Sequence, residues 1–206
     1  MQMHLIEQYF PKYFKNVTCL GKEVEKMTEF LMVRHGEPDY SKVNDWAKIA
    51  VAKNYAPLTE AGVIQIQNTI ETLKEEKAEL ILSSPFTRCM QGAAMMSKTL
   101  QLDIYVEQYL HEWELDRTHS IFPGFREKLL VWQFNHRKWN RFSKWENPED
   151  VRKRVLSVFD RYLEYEKVIV SCHAMMILYT IHDKETMQYG QIRKIRYDGK
   201  RLEVVE

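Results

Sequence analysis

The strongest constraint on the fold is an alternation in the apolar pattern. Four short runs, "FLMV" at 30–33, "ELILSS" at 79–84, "DIYVE" at 103–107 and "KVIVS" at 167–171, are strand-sized and too short for helices. Between them lie stretches with helical spacing. "PLTEAGVIQIQNTIETLKEEK" carries Thr59 as an N-cap and Glu60 in its first turn. "PFTRCMQGAAMMSKTL" is opened by Pro85, and "PEDVRKRVLSVFDRYLEYE" keeps Val151, Val155, Val158, Phe159 and Leu163 on one side. "HAMMILYTIH" follows the fourth run, and "QIRKIRY" with "RLEVV" reads as a closing hairpin through Asp198 and Gly199. Strands alternating with helices predict an α/β three-layer sandwich, with a mostly parallel central sheet and helices on both faces.

The 206 residues are enough for one domain with a sizeable core. Residues 1–26 stand apart: Leu5, Ile6, Tyr9, Phe10, Tyr13, Phe14 and Val17 recur at helical spacing before any strand. They are expected to form a helical extension that packs on the domain at 27–206; the sharper reading is a dimerization element, which would make a homodimer. Thirty Lys and Arg against 29 Asp and Glu leave a net charge of +1, so neither nucleic acid nor a membrane surface is expected as a partner. Any cationic site must be local. Cys19, Cys89 and Cys172 are scattered, which suits reduced thiols in the cytoplasm better than disulfides or a metal site. No apolar run reaches the roughly 20 residues of a membrane span, and the N-terminus lacks a signal-peptide pattern.

In a parallel sheet flanked by helices, ligands bind beyond the carboxyl ends of the strands. The first strand delivers Arg34 and His35 there, the second Ser83, Ser84 and then Arg88, and the fourth Ser171, Cys172 and His173. Taken singly, each has a plain structural reading: a turn, a helix cap or surface pair, a satisfied core histidine. Together they place two arginines and two histidines on one rim. Paired guanidinium forks match phosphoryl oxygens and hold their charge at physiological pH. A neutral imidazole is a competent nucleophile if its other nitrogen is held, and Gly36 allows a turn tight enough to offer a carbonyl for that purpose. The helix N-termini after Ser84 and at His173 are expected to add amide donors to the same anion.

These segments, "LMVRHGE", "PLTEAGVIQ", "LSSPFTRCMQGA" and "VIVSCHA", resemble in order and spacing the motifs of the histidine phosphatase superfamily, which includes the cofactor-dependent phosphoglycerate mutases, over about residues 28 to 206. The resemblance implies a phosphoglycerate mutase-like fold. It makes His35 the phosphate acceptor, Arg34 and Arg88 the phosphoryl ligands, and His173 a transition-state stabiliser. Glu112, two residues past Leu110, is implied as the proton donor, with Glu114 and Asp116 as rivals. The implied reaction passes through a phosphohistidine on a small phosphorylated substrate and uses neither metal nor cofactor.

Several positions depart from the mutase pattern: Pro38 and Ser41 after the nucleophile, Gly92 where Thr is frequent, and Ala174 where Gly is common. These departures, with a chain short for a mutase, favour a phosphomonoester hydrolase over a mutase-type phosphotransferase. A silent phospholigand-binding module would need neither nucleophile nor acid. The aromatic and basic stretch from Trp113 to Trp145 lies where a lid would cover the phosphate; it reads as edge packing, or as leaving-group recognition through Arg117, His119, Arg126 or Arg137. Cys172 reads as a small buried filler, with redox control of the site as the alternative.

Overall fold

The computed structural model describes residues 26–44, 50–114 and 146–205. The expected extension at 1–26 therefore falls, except for its last residue, outside the described residues, as does the expected cover from 115 to 145.

Among the described residues, six strands form one sheet: β1 (Thr28–Arg34), β2 (Leu80–Ser83), β3 (Ile104–Val106), β4 (Lys167–Cys172), β5 (Ile192–Tyr197) and β6 (Leu202–Val205). Their spatial order is β3-β2-β4-β1-β5-β6. The first four run parallel to one another, and β5 and β6 join antiparallel as the closing hairpin. Among the described residues, four helices of eight residues or more connect them: α1 (Glu60–Leu73), α2 (Thr87–Leu100), α3 (Pro148–Phe159) and α4 (Ala174–Ile181). A short helix, Ser41–Asn44, and a 3-10 helix, Ala50–Tyr55, lie between β1 and α1.

The strand pattern produces the three layers directly, because successive side chains of a strand point to opposite faces. Phe30, Met32, Leu80, Leu82, Val168 and Val170 share one core with α3 and α4. Leu31, Val33, Ile81 and Ile169 share the other with α1 and α2. All ten are 2% exposed or less, which is why the central strands read as unbroken apolar runs rather than alternating ones. Phe30 and Phe159 stack at 4.0 Å between ring centroids and tie α3 to β1.

Thr59 caps α1 as expected, its Oγ1 accepting from the Gly62 amide at 2.9 Å. At α2 the helix starts two residues later than its proline: Phe86 is the extended N-cap residue, and its amide donates to Ser84 Oγ at 3.3 Å. At α3, Asn147 and Asp150 form a reciprocal capping box with Pro148 at the first position. This helix ends at Phe159, so Leu163 packs on the core from beyond the following 3-10 turn. Among the described residues no helix is long and apolar enough to cross a membrane.

Candidate active site

Register brings the expected residues together. Val33 and Ser83 both pair with Ser171, so β1, β2 and β4 end level. The His35 amide donates to the Cys172 carbonyl at 3.0 Å and the Ser84 amide to the Ser171 carbonyl at 2.9 Å, one step past that row. Both histidines therefore leave the sheet at the same height, with ring centroids 5.2 Å apart.

His35 is 5% exposed. Its Nδ1–H donates to the carbonyl of Gly36 at 2.7 Å, which leaves Nε2 with a free electron pair. A Cβ on Gly36 would stand 2.8 Å from the Gly62 carbonyl carbon, and nearer still to its oxygen, so only glycine lets this turn press against the start of α1. Burial, followed by the Arg88 charge, pushes the imidazole down to about 3. His35 is thus neutral at physiological pH.

Arg88 joins the two histidines. Its Nε–H donates to His35 Nε2 at 3.1 Å, and its Nη2–H points at His173 Nδ1 at 3.3 Å. Its Nη1–H donates to the carbonyl of Lys53 at 3.0 Å, anchoring the guanidinium to the 3-10 helix. An arginine can only donate, so His173 Nδ1 is unprotonated and Nε2–H donates to Ser84 Oγ at 2.8 Å. His173 is fully buried, and desolvation together with the Arg88 charge holds it well below the ordinary imidazole range. Phe86 closes over it edge to face at 5.1 Å. Cys89 lies against the same ring, Sγ to Nε2 3.4 Å, and burial pushes its thiol up to about 12. Burial likewise raises Cys172, so neither thiol has thiolate character.

Arg34 ends β1 beside this group. Its guanidinium lies on the Tyr189 ring, 3.9 Å from the centroid, and its Nη1–H donates to the Met187 carbonyl. Its Nε is buried with no hydrogen-bond partner among the described residues.

Glu112 approaches from the loop after the 3-10 turn Gln108–Leu110. Its Oε1 accepts from the amides of Trp113 (2.8 Å) and Met176 (2.9 Å), while Oε2 has only a long bond from Met175 (3.4 Å). The amides at the start of α4, expected to face an anionic ligand, instead hold this carboxyl group. Desolvation raises Glu112 above the usual carboxylate range, against the pull of those amides and of Arg88. The Glu114 backbone pairs with Glu146, its amide donating to Glu146 Oε2 at 3.1 Å and its carbonyl accepting from the Glu146 amide at 3.2 Å. Asp116, Arg117, His119, Arg126 and Arg137 lie outside the described residues.

Four partners had no sequence signal: the Lys53 and Met187 carbonyls, Tyr189, and the contact of Cys89 with His173. All come from segments far away in the chain. Ser84 was legible only as a strand end, although Arg88, four residues on, decides its role by setting the His173 tautomer. Among the described residues no group of three or more His, Cys, Asp or Glu side chains could hold a metal ion.

The family model of the histidine phosphatase superfamily (branch 1) matches residues 30–206. A protein of Hydrogenobacter thermophilus whose name assigns it, provisionally, to the phosphoserine phosphatases is 24% identical over 154 residues, covering 71% of this chain and 73% of that protein. A mycobacterial glucosyl-3-phosphoglycerate phosphatase superposes with a TM-score of 0.68 at 17% identity, over 86% of this chain and 97% of that one. A phosphoglycerate mutase of Bacillus anthracis does so at 0.67 and 18%, over 87% and 92%. These structural likenesses are likenesses of fold; the family match over residues 30–206 shows that this protein belongs to the histidine phosphatase superfamily, branch 1, and is a phosphatase of that type.

Proposed function

We propose that the protein hydrolyses phosphomonoesters of small metabolites through a phosphohistidine on His35, within a catalytic unit spanning residues 27–206. The observation that carries the reading is the bond from His35 Nδ1–H to the Gly36 carbonyl. It leaves the electron pair of Nε2 as the nucleophile, beside Arg88 in a buried site.

Arg88 Nε–H donates to that electron pair and Nη2–H to His173 Nδ1. An arriving phosphoryl group offers oxygens that are better acceptors for both donors, so its binding frees Nε2 for attack at phosphorus. Arg34 and Arg88 offset charge on the equatorial oxygens, and His173 lines the same space. The P–O bond to the leaving group breaks as the N–P bond forms. Glu112 gives its proton to the departing alkoxide, from Oε2, because Oε1 already accepts two amides. The ionised carboxylate then takes a proton from the water that attacks phosphohistidine, releasing phosphate and restoring both groups.

Small substrates are favoured by the relatives whose names carry phosphoserine and glucosyl-3-phosphoglycerate. The test is hydrolysis of an aryl phosphate with chelator present, comparing the native protein with His35→Ala. The expected result is phosphate release that survives chelation and disappears in the variant. Phosphate transfer between substrate positions without net release would replace hydrolysis by a mutase reaction.

A further inference from the structure

We infer that Tyr189 is a positioning residue that sets the Arg34 guanidinium for the phosphoryl group, an inference that rests on the reading above of Arg34 as a phosphate ligand. Tyr189 lies in the loop between α4 and β5, which meets the first strand at four points. Gln191 accepts the Arg34 amide at 3.1 Å, and the Gly190 amide donates to the carbonyls of Arg34 (3.0 Å) and His35 (3.4 Å). The Met187 carbonyl accepts from Arg34 Nη1–H, and the Tyr189 ring carries the guanidinium on its face at 3.9 Å. The same ring stands 5.7 Å from His35. Gly190 makes the turn with φ +72°, and its carbonyl accepts from Thr69 Oγ1 at 2.6 Å, fixing the loop to α1.

Stacking is the one contact that immobilises a guanidinium without using an N–H. Arginine has five donors in a rigid plane. Here one is committed to Met187, the face rests on Tyr189, and Nε is buried without a hydrogen-bond partner among the described residues. A free arginine would lose rotamer freedom on gripping a phosphate. In this site that loss has already occurred during folding, so more of the fork's attraction appears as affinity.

The experiment is calorimetric titration with inorganic phosphate of the native protein, Tyr189→Phe, Tyr189→Leu, Arg34→Ala and the Tyr189→Leu/Arg34→Ala double variant, with turnover of an aryl phosphate measured alongside. Tyr189→Phe keeps the ring and is expected to bind within about twofold of native. Tyr189→Leu is expected to bind about tenfold more weakly and to raise KM with little change in kcat, the size a desolvated cation–π contact allows. In the Arg34→Ala background the same substitution is expected to cost nothing further. Tyr189→Gln replaces the leucine variant should that one fail to unfold with a native-like midpoint. Equal losses in both backgrounds, a Phe variant as weak as Leu, or undiminished binding by Leu would each overturn the inference. The expected phosphate cycle without turnover would reject the hydrolase reading and leave this one standing; turnover with additive losses would do the reverse. Native protein that binds no phosphate would overturn both.

Discussion

The neutral state of His35 can be tested without substrate, because a pKa that differs between folded and unfolded chains is a pH dependence of stability. Burial and Arg88 bring the folded imidazole to about 3, against 6.5 for the unfolded chain. A depressed value means that the unfolded chain takes up the proton first. The stabilisation is therefore fully present above 6.5 and is lost as pH falls through the window from 6.5 toward 3. Between about pH 8 and about pH 5 the linkage integral for His35 alone amounts to about 2 kcal/mol. At a urea dependence of about 2 kcal/mol per molar, this is a shift of about 1 M in the midpoint. His173 and Glu112 also titrate differently in the folded protein, so the measurement is a difference: urea midpoints at both pH values for native protein and His35→Asn, whose amide nitrogen can keep the bond to Gly36. The native protein is expected to lose about 2 kcal/mol more than the variant on acidification. Equal losses would mean that His35 is not held neutral by the fold, and the account of its nucleophilicity would fall with it.

Four further outcomes are expected. Ser84→Ala removes the acceptor of His173 Nε2–H, leaving only the poor acceptor Cys89 Sγ at 3.4 Å; stability should drop by about 1–3 kcal/mol in thermal unfolding and kcat about tenfold. Gly36→Ala forces a methyl group against the Gly62 backbone and should cost about 2–3 kcal/mol with loss of turnover. Gly92→Ala instead meets only the Ile66 side chain at 3.6 Å or more inside α2 and should stabilise by up to about 1 kcal/mol with activity kept. Glu112→Gln should lower hydrolysis of alkyl phosphates about 10²- to 10⁴-fold in steady-state assays, while an aryl phosphate with an acidic leaving group, which departs without a proton, should be much less affected.

What was legible in the sequence follows a physical division. The central strands could be read because each is buried on both faces, so "FLMV", "LIL" and "VIV" carry no polar interruption, and the connections between them had to be helical. Arg34, His35, Arg88 and His173 could be placed on one rim because parallel strands deliver their next residues to the same end. The details that depend on hydrogen-bond accounting were not legible. Nothing in "HAMM" says that the amides of Met175 and Met176 go to a carboxylate arriving from residue 112, and nothing in "TMQYG" says that its tyrosine will lie beneath an arginine met 155 residues earlier. Glu112 and Glu114 differ by a single strand-like alternation. In the structure Trp113 between them is 5% exposed with its Nε1–H on the Glu146 carbonyl at 2.6 Å, and the Glu112 carboxyl group meets the amides at the start of α4.

The protonation states of the site form one balanced set. Arg34 and Arg88 bring two positive charges into a region from which water is largely withdrawn, and the two histidines contribute none while they stay neutral. A phosphomonoester above its second pKa, about 6, brings two negative charges. Neutrality then requires that Glu112 hold its proton, the state toward which desolvation already moves it and the state the departing alkoxide needs. In the proposed reaction, once the leaving group has taken that proton, the remaining phosphoryl group on His35 has less charge to offset. The ionised Glu112 then has three backbone amides around it that stabilise the anion. The same amides that oppose its protonation before transfer thus favour its ionisation afterwards, which suits the proposed role of giving a proton in one half-reaction and accepting one in the next.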